Sequence, residues 1–266
     1  MLIVELNNIL LKEQNSLPDA FLIGIEGFSS EAYKHFKKSH VIEIIKDLKT
    51  KKVLSFIDLT NIYHDEDLLK VKDLIEELDA DGYFYSDLGI MEYLPFEKRF
   101  FFSQTYITNK YDLNIALKEN KYVLISPNLS LLELKDFEYN ENIYLIGFGT
   151  WEIFHSRRPL LTNYFKYREI ESALNGYHIM EEFRNDKYPI IEENGFKVYL
   201  NDYFCLDELL TNNLIIKTFD LEPTIALKVI ECFKNQDLTL IKELPIKTHP
   251  ALLHQESILT KGDKNA

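Results

Sequence analysis

Cysteine is scarce in this chain: Cys205 and Cys232 are the only two in 266 residues, and they lie far apart. Two isolated thiols build no disulfide framework, no CxxC zinc site and no cluster motif. Positive charge is in deficit as well, with 30 basic residues against 43 acidic ones and a net charge of −13. A domain whose main work is gripping phosphates is usually basic, so this balance argues against nucleic-acid binding as the sole role. It leaves room for a local basic patch or for a partner that supplies the charge. No apolar stretch is long enough to cross a bilayer. Residues 1–11 are apolar but lack a basic leader and carry Glu5, so no signal peptide is read there and the expected compartment is the cytoplasm. The sequence also lacks HExxH, a P-loop and GxSxG. That removes the usual signatures of zinc proteases, nucleotide-binding loops and serine hydrolases.

What is present is a repeating pattern of short apolar run, polar turn and amphipathic segment. The runs are Leu2–Leu6, Phe21–Glu26, Val53–Asp58, Gly82–Asp87, Arg99–Gln104, Tyr122–Ser126, Ile143–Gly147 and Leu214–Thr218. They are continuous rather than alternating, as expected of parallel strands buried on both faces. Between them, Val41, Ile44, Ile45 and Leu48 form a helical stripe, as do Leu68, Val71, Ile75 and Leu78, and Ile225, Ala226, Val229, Ile230 and Phe233. Asp65 or Asp67 could cap the second of these helices. Strands alternating with helices imply βαβ units. Eight of them predict an α/β fold, a TIM-like (β/α)8 barrel, with an open doubly wound sheet as the alternative.

The alternation breaks once, between the seventh and eighth strands. Leu160–Asn185 reads as helical and polar, and Tyr188–Leu200 as a hairpin around Asn194-Gly195. This predicts a helix-plus-hairpin insertion, at about residues 160–212, on the barrel's top face. The barrel domain is expected over 1–243, with 244–266 a loose C-terminal tail.

In a barrel the C-terminal strand ends point at the active site. Here they carry Glu5, Glu26, Asp58 with Asn61, Asp87, Gln104 with Thr105, Ser126 with Asn128, Glu152, and Lys217 with Asp220. Any one of these could be an ordinary loop or cap residue; together they outline a polar rim. Asp58 and Asp87 are candidate catalytic carboxylates, with His155 as a third candidate. Arg157 and Arg158 are adjacent, and guanidinium groups fork onto carboxylate or phosphate oxygens. A structural ion pair would use the same residues. Gln104, Asn61, Asn163 and Lys217 complete the candidate binding set. Gly147-x-Gly149 opens like a dinucleotide loop, but Glu152 stands where a third glycine belongs. His64-Asp65-Glu66 looks like a ligand cluster and reads more simply as a helix cap, so no metal site is assigned.

Four segments resemble the peptidase U32 family, the collagenase-like group. Asp19-Ala-Phe-Leu-Ile-Gly is similar to its second strand. Phe101-Phe-Ser-Gln-Thr-Tyr-Ile-Thr-Asn109 is similar to its H-x-S-T-Q-x-x-x-T-N segment. Phe154-His-Ser-Arg-Arg-Pro-Leu-Leu-Thr-Asn163 is similar to its signature around S-x-S-G-R-C-L-L-S-N. Lys187-Tyr-Pro-Ile-Ile-Glu, followed by Phe204-Cys-Leu-Asp-Glu-Leu, resembles a later block. The match runs from about residue 19 to 233, and the third segment is the specific one. Family members that bind a four-iron, four-sulfur cluster use four cysteines; two of those positions fall here at about Glu152 and Pro159. The usual K-I-E-G-R of the eighth strand appears as Lys217-Thr-Phe-Asp-Leu. The resemblance is nearest to a short, cysteine-poor branch found beside a longer, cysteine-bearing paralogue. It implies a part in prephenate-dependent 5-hydroxyuridine formation at the tRNA wobble position. A prephenate-like dicarboxylate is then the implied ligand, with no iron–sulfur cluster in this chain. The implied partner is the longer paralogue or a second copy of the chain, with tRNA reached through the complex. A U32-type peptidase, hence a hydrolase, and a non-catalytic barrel scaffold are the alternatives.

Overall fold

The structure, a computed structural model, describes residues 1–14, 16–103, 106–171, 176–180, 182, 186–192 and 195–255. Seven parallel strands follow one another around a sheet: β1 (Leu2–Glu5), β2 (Ala20–Ile25), β3 (Leu54–Leu59), β4 (Gly82–Tyr85), β5 (Arg99–Phe101), β6 (Tyr122–Leu124) and β7 (Ile143–Gly149). A small lobe then intervenes, formed by β8 (Glu152–Ser156), β9 (Tyr177–Met180), β10 (Lys187–Glu192) and β11 (Phe196–Tyr199). The eighth barrel strand, β12 (Leu214–Ile216), pairs in parallel with β7 on one side and β1 on the other, which closes the ring. The eight apolar runs of the sequence are these eight strands, and the closed barrel replaces the open-sheet alternative.

Every residue of β1, β2, β4 and β7 is buried. That double burial is why the strands read as unbroken apolar runs. Phe56, Phe84, Phe100, Tyr122 and Tyr144 come from five successive strands and meet ring to ring. Phe100 lies 4.0 Å from Phe84 and 4.8 Å from Tyr144 between centroids. Phe56 also reaches Tyr122, three strands away, at 6.0 Å; strands so far apart in a sheet meet only across a closed interior. The barrel is thus filled by aromatic rings. Gly82 makes room for one of them, since a Cβ there would stand 2.5 Å from the Phe56 ring.

The outer helices cover the barrel as their stripes predict. On α1 (Lys38–Thr50), Val41, Ile44, Ile45 and Leu48 are buried. On α2 (Asp65–Glu77), Val71 and Leu74 are buried. The cap position of α2 falls to His64, without a side-chain cap bond, and Asp65 and Asp67 lie inside the first turn, where acids favour the helix dipole. Asn109 caps α3 (Lys110–Glu119), and a full capping box starts α4 (Leu131–Lys135).

The insertion differs from its expected form. Helix α5 (Leu160–Arg168) stops early, because Glu169 takes a left-handed conformation at φ 55°. Beyond it β9 is a strand and not helix, pairing antiparallel with β10. The expected hairpin is present as β10 and β11; of its Asn194-Gly195 turn, Asn194 lies outside the described residues. β8 joins the far side of β11, giving a four-stranded antiparallel sheet in the order β9-β10-β11-β8. Its core is small: Leu161, Ile190, Phe196 and Val198.

Helix α6 (Pro223–Lys234) buries Ala226, Val229, Ile230 and Phe233 against the barrel. The segment expected as a loose tail is packed as far as Gln255. Thr248–His249 pairs with Tyr203–Cys205, Ala251 and Leu253 are buried, and the Leu131 N–H donates to the Leu253 carbonyl at 2.8 Å. Residues 256–266 lie outside the described residues. No helix among the described residues is long and apolar enough to cross a membrane.

Candidate functional site

The C-terminal strand ends converge on one rim, and the lobe bends over it. Two lysines anchor the arrangement. Lys217, just past β12, extends its ammonium to Glu31 Oε2 at 2.7 Å and lies 5.7 Å from the Phe102 ring. Lys197, on β11 of the lobe, donates to the Ser30 carbonyl and stands 3.4 Å from Glu152 Oε2. Both lysine side chains are 7% exposed, and their carboxylate partners 12%. Gly149 permits the crowding: at φ +137° it passes Lys217 so closely that a Cβ would stand 2.4 Å from the Lys217 Cβ.

Beneath this pair lies Glu5, 1% exposed, at the end of β1. One oxygen accepts the Tyr33 N–H; the other is buried without a hydrogen-bond partner among the described residues. Burial pushes the Glu5 carboxyl up to about 7, against the pull of Lys217 in the opposite direction. Burial alone would lower the Lys217 ammonium, but the carboxylates of Glu31, Glu5 and Glu152 outweigh it and hold the lysine charged. The Tyr199 hydroxyl sits in the same cluster, pushed up by burial and then by Glu152, Glu31 and Glu5. It is therefore a neutral donor at any physiological pH.

Asp58 stands on this rim, fully buried, but its carboxylate is occupied. Oδ2 accepts from the Glu31 and Ala32 N–H groups at 3.0 and 2.6 Å; Oδ1 accepts from the Thr60 N–H and hydroxyl at 2.9 and 2.6 Å. Burial still raises its pKa. Its role is to fix the loop that presents Glu31 to Lys217. Asp87 caps the turn after β4 through Gly89 and accepts the Tyr63 N–H at 3.2 Å. The two carboxylates, each held by its own backbone donors, share no hydrogen bond.

Among the other candidates, His155 is on β8, with Nδ1 3.3 Å from Glu152 Oε1. Arg157 donates to the Ile62 carbonyl and so ties the lobe to the loop after β3, where Asn61 accepts the Ile62 N–H. Arg158 is exposed; its backbone N–H donates to Ser156 Oγ at 3.2 Å, and its side chain has no hydrogen bond or ion pair among the described residues. Asn163 lies exposed on α5, away from the ionic cluster. Gln104 lies outside the described residues. Sequence reasoning missed Glu31, Lys197 and Tyr199. Lys197 did leave a signal, as a lysine inside the four-residue strand Phe-Lys-Val-Tyr, all of it buried.

A cleft of about 1060 Å³ opens between rim and lobe, lined by Glu31, Phe102, Glu152, Phe154 and His155 and closed on one side by residues of the 247–255 segment. A second cleft of about 720 Å³ lies beyond the turn at residues 200–202, with Asn7, Tyr33, Tyr199 and Thr218 on its wall. The first has the size of a small-molecule site. It offers carboxylates, lysine-held charge and an aromatic wall, a chemistry suited to orienting a polar ligand.

At the two places where the resemblance would put cluster cysteines stand Glu152, ion-paired with Lys197, and Pro159, which has no ligating atom. Burial pushes both real thiols up, Cys205 to about 12, away from the thiolate form that ligates iron. Cys205 is on the Tyr203–Cys205 strand and Cys232 on α6. These residues do not fit a four-thiolate cluster. Among the described residues no three His, Cys, Asp or Glu side chains are grouped as metal ligands.

Comparison with known families agrees with the fold. The family model for peptidase family U32 matches residues 13–244. No curated protein and no solved structure matches the chain significantly. Since the family model spans nearly the whole barrel and lobe, the chain belongs to peptidase family U32.

Proposed function

We propose that this U32 chain is an accessory subunit in hydroxylation of the tRNA wobble uridine, acting beside a longer, cluster-bearing U32 paralogue. The observation that carries the reading is the fate of the signature segment. Phe154–Asn163 runs from β8 into α5 and borders the rim cleft with Phe154 and His155, while the cysteine positions are taken by Glu152 and Pro159. This combination supports a chain that retains the signature segment beside a cleft and leaves the cluster chemistry to a partner. In this reading the rim cleft binds an organic acid, and Arg158, three residues beyond His155 of the cleft wall, offers an exposed guanidinium. The paralogue supplies the cluster.

A collagenase-like peptidase finds less support. Hydrolysis needs an activated nucleophile or a positioned water. Asp58 has spent its carboxylate on four donors, and Asp87 caps a turn. A pure scaffold finds partial support in the self-neutralising Lys217–Glu31 and Lys197–Glu152 pairs.

The test is genetic and chemical. Deleting the gene should lower 5-hydroxyuridine in tRNA digests, and the wild-type chain should restore it. Unchanged 5-hydroxyuridine after deletion removes the proposal. Cleavage of gelatin by the pure chain, lost in Asp58→Ala while folding is kept, would replace it with the peptidase reading.

A further inference from the structure

The chain has five arginines, and three of them, Arg157, Arg158 and Arg168, fall within twelve residues. Residues 154–168 hold four basic side chains and no acid, in a chain where acids outnumber bases 43 to 30. This reversal coincides with an unusual surface. Helix α5 buries Leu161 and packs Phe165 on the lobe core, so its opposite face turns to solvent. Tyr167, 84% exposed, lies there with exposed Asn163 and Lys166, while Tyr164, 54% exposed, and exposed Arg168 flank the core stripe along its side. Tyr167 has no ring contact or hydrogen bond among the described residues. Tyr164 meets the edge of the Phe165 ring at 5.5 Å between centroids, and it and Tyr167 remain exposed on a helix whose core side is already satisfied.

We propose that this face of α5, with Arg158 at its start, is a landing surface for single-stranded RNA. Flat aromatic rings with cations between them stack bases and neutralise phosphates without demanding a sequence. Arginine in place of lysine suits phosphate, because its planar fork meets two oxygens. The chain links this face to the cleft: β8 lines the cleft with Phe154 and His155 and leads through Arg157 and Arg158 into α5. The inference rests on the RNA reading above for the class of polymer, but it places a grip on this chain itself and not only on a paralogue.

Fluorescence anisotropy of the full-length chain with a labelled single-stranded RNA of about a dozen nucleotides tests it, with the same sequence as duplex for comparison. Binding should weaken steeply between about 50 and 200 mM salt and favour the single strand. Tyr164→Ala/Tyr167→Ala should weaken it by on the order of tenfold or more, without loss of fold by circular dichroism. Lys166→Glu/Arg168→Glu should weaken it and flatten the salt dependence, whereas Lys70→Glu/Lys72→Glu on α2, an equal change of charge, should have little effect. No binding by the wild-type chain, indifference to the tyrosine pair, or equal weakening by both charge pairs overturns the proposal. Loss of paralogue capture on Tyr164→Ala/Tyr167→Ala, with no RNA binding by wild type, overturns it in favour of a protein-docking face. The two proposals fail separately: RNA binding kept while gene deletion spares 5-hydroxyuridine sinks only the modification reading. Full rescue of 5-hydroxyuridine by a tyrosine-pair variant whose RNA binding is unchanged sinks only the surface assignment.

Discussion

The barrel and the lobe are made from the same residue types, yet they are stabilised differently. The barrel shuts an aromatic interior inside a closed ring of eight strands and holds one large, continuous buried core. The lobe's own core cluster has four buried residues among those described, Leu161, Ile190, Phe196 and Val198, and Ile153, Phe154, Tyr164, Tyr167, Ile179 and Met180 are exposed. Polar contacts tie the lobe to the barrel, Lys197 to the Ser30 carbonyl and Arg157 to the Ile62 carbonyl, while Lys197–Glu152 and the Glu192 carboxylate at the start of α5 brace the lobe internally. The barrel gives rigidity, and the lobe gives a surface whose position depends on charge. A functional rim between them inherits both properties.

Truncating one phenylalanine in each region sharpens this contrast most. Phe100→Ala empties the meeting point of Phe56, Phe84, Tyr122 and Tyr144, where rings on every side prevent collapse. It should cost about 3–5 kcal/mol in urea unfolding of the whole chain. Phe196→Ala, in the small lobe core, should cost about half as much, since a half-open site relaxes more readily. It should expose the lobe, and not the barrel, to limited proteolysis. Equal losses in one cooperative transition would erase the distinction between the two regions.

Next in size is the charge junction. Lys217→Met leaves Glu31 and Glu5 buried without their cation, and removing one partner of a buried pair costs about 3 kcal/mol or more. Replacing Lys217 and Glu31 together with Met and Leu should recover most of that loss, as measured by thermal melting. A double variant no better than the single would show that the pair does not act as a unit.

How much of this was legible beforehand follows from the same contrast. The eight strands could be read because burial on two faces leaves no polar residue to interrupt an apolar run. Helix α1 could be read because Val41, Ile44, Ile45 and Leu48 all face one wall. The lobe was legible only at its hairpin. The helical reading overran Glu169 because a left-handed stop carried by a non-glycine residue has no compositional mark. Residues 244–255 read as a tail because their anchors, Ala251 and Leu253, are single buried side chains without periodicity. The rim was half legible. Glu5, Asp58 and Lys217 sit at strand ends, where the fold class points. Glu31 comes from a loop and Lys197 from the inserted sheet, so only the folded chain brings Lys197 to Glu152 and Glu31 to Lys217.

A smaller effect separates the cluster by pH. Glu5 has a folded value of about 7 against an ordinary value of 4.5, so the native chain holds its proton longer than the unfolded one. Between those values the native state binds more protons, and stability falls as pH rises through the window. Glu5→Gln removes the titration. Its stability should therefore gain on wild type from about pH 4.5 to 7 and hold that gain above, an advantage on the order of 3 kcal/mol read by thermal melting. A constant offset between the two proteins across that range would mean that the carboxyl titrates normally.

The smallest expected effect on stability is the most informative about the lobe's purpose. The side chain of Arg158 makes no hydrogen bond or ion pair among the described residues, so Arg158→Ala should change stability by no more than about 0.5 kcal/mol. Arg157 ties the lobe to the loop after β3, so Arg157→Ala should loosen the lobe to proteolysis while the barrel's unfolding is unchanged. Two adjacent arginines thus divide into one that holds the structure and one that does not. If Arg158→Ala melts like Arg157→Ala, both are structural and Arg158 is no longer available as a binding cation. If it melts like wild type and still fails to restore 5-hydroxyuridine, an exposed side chain with no structural partner has a function, and that function is to meet something outside the chain.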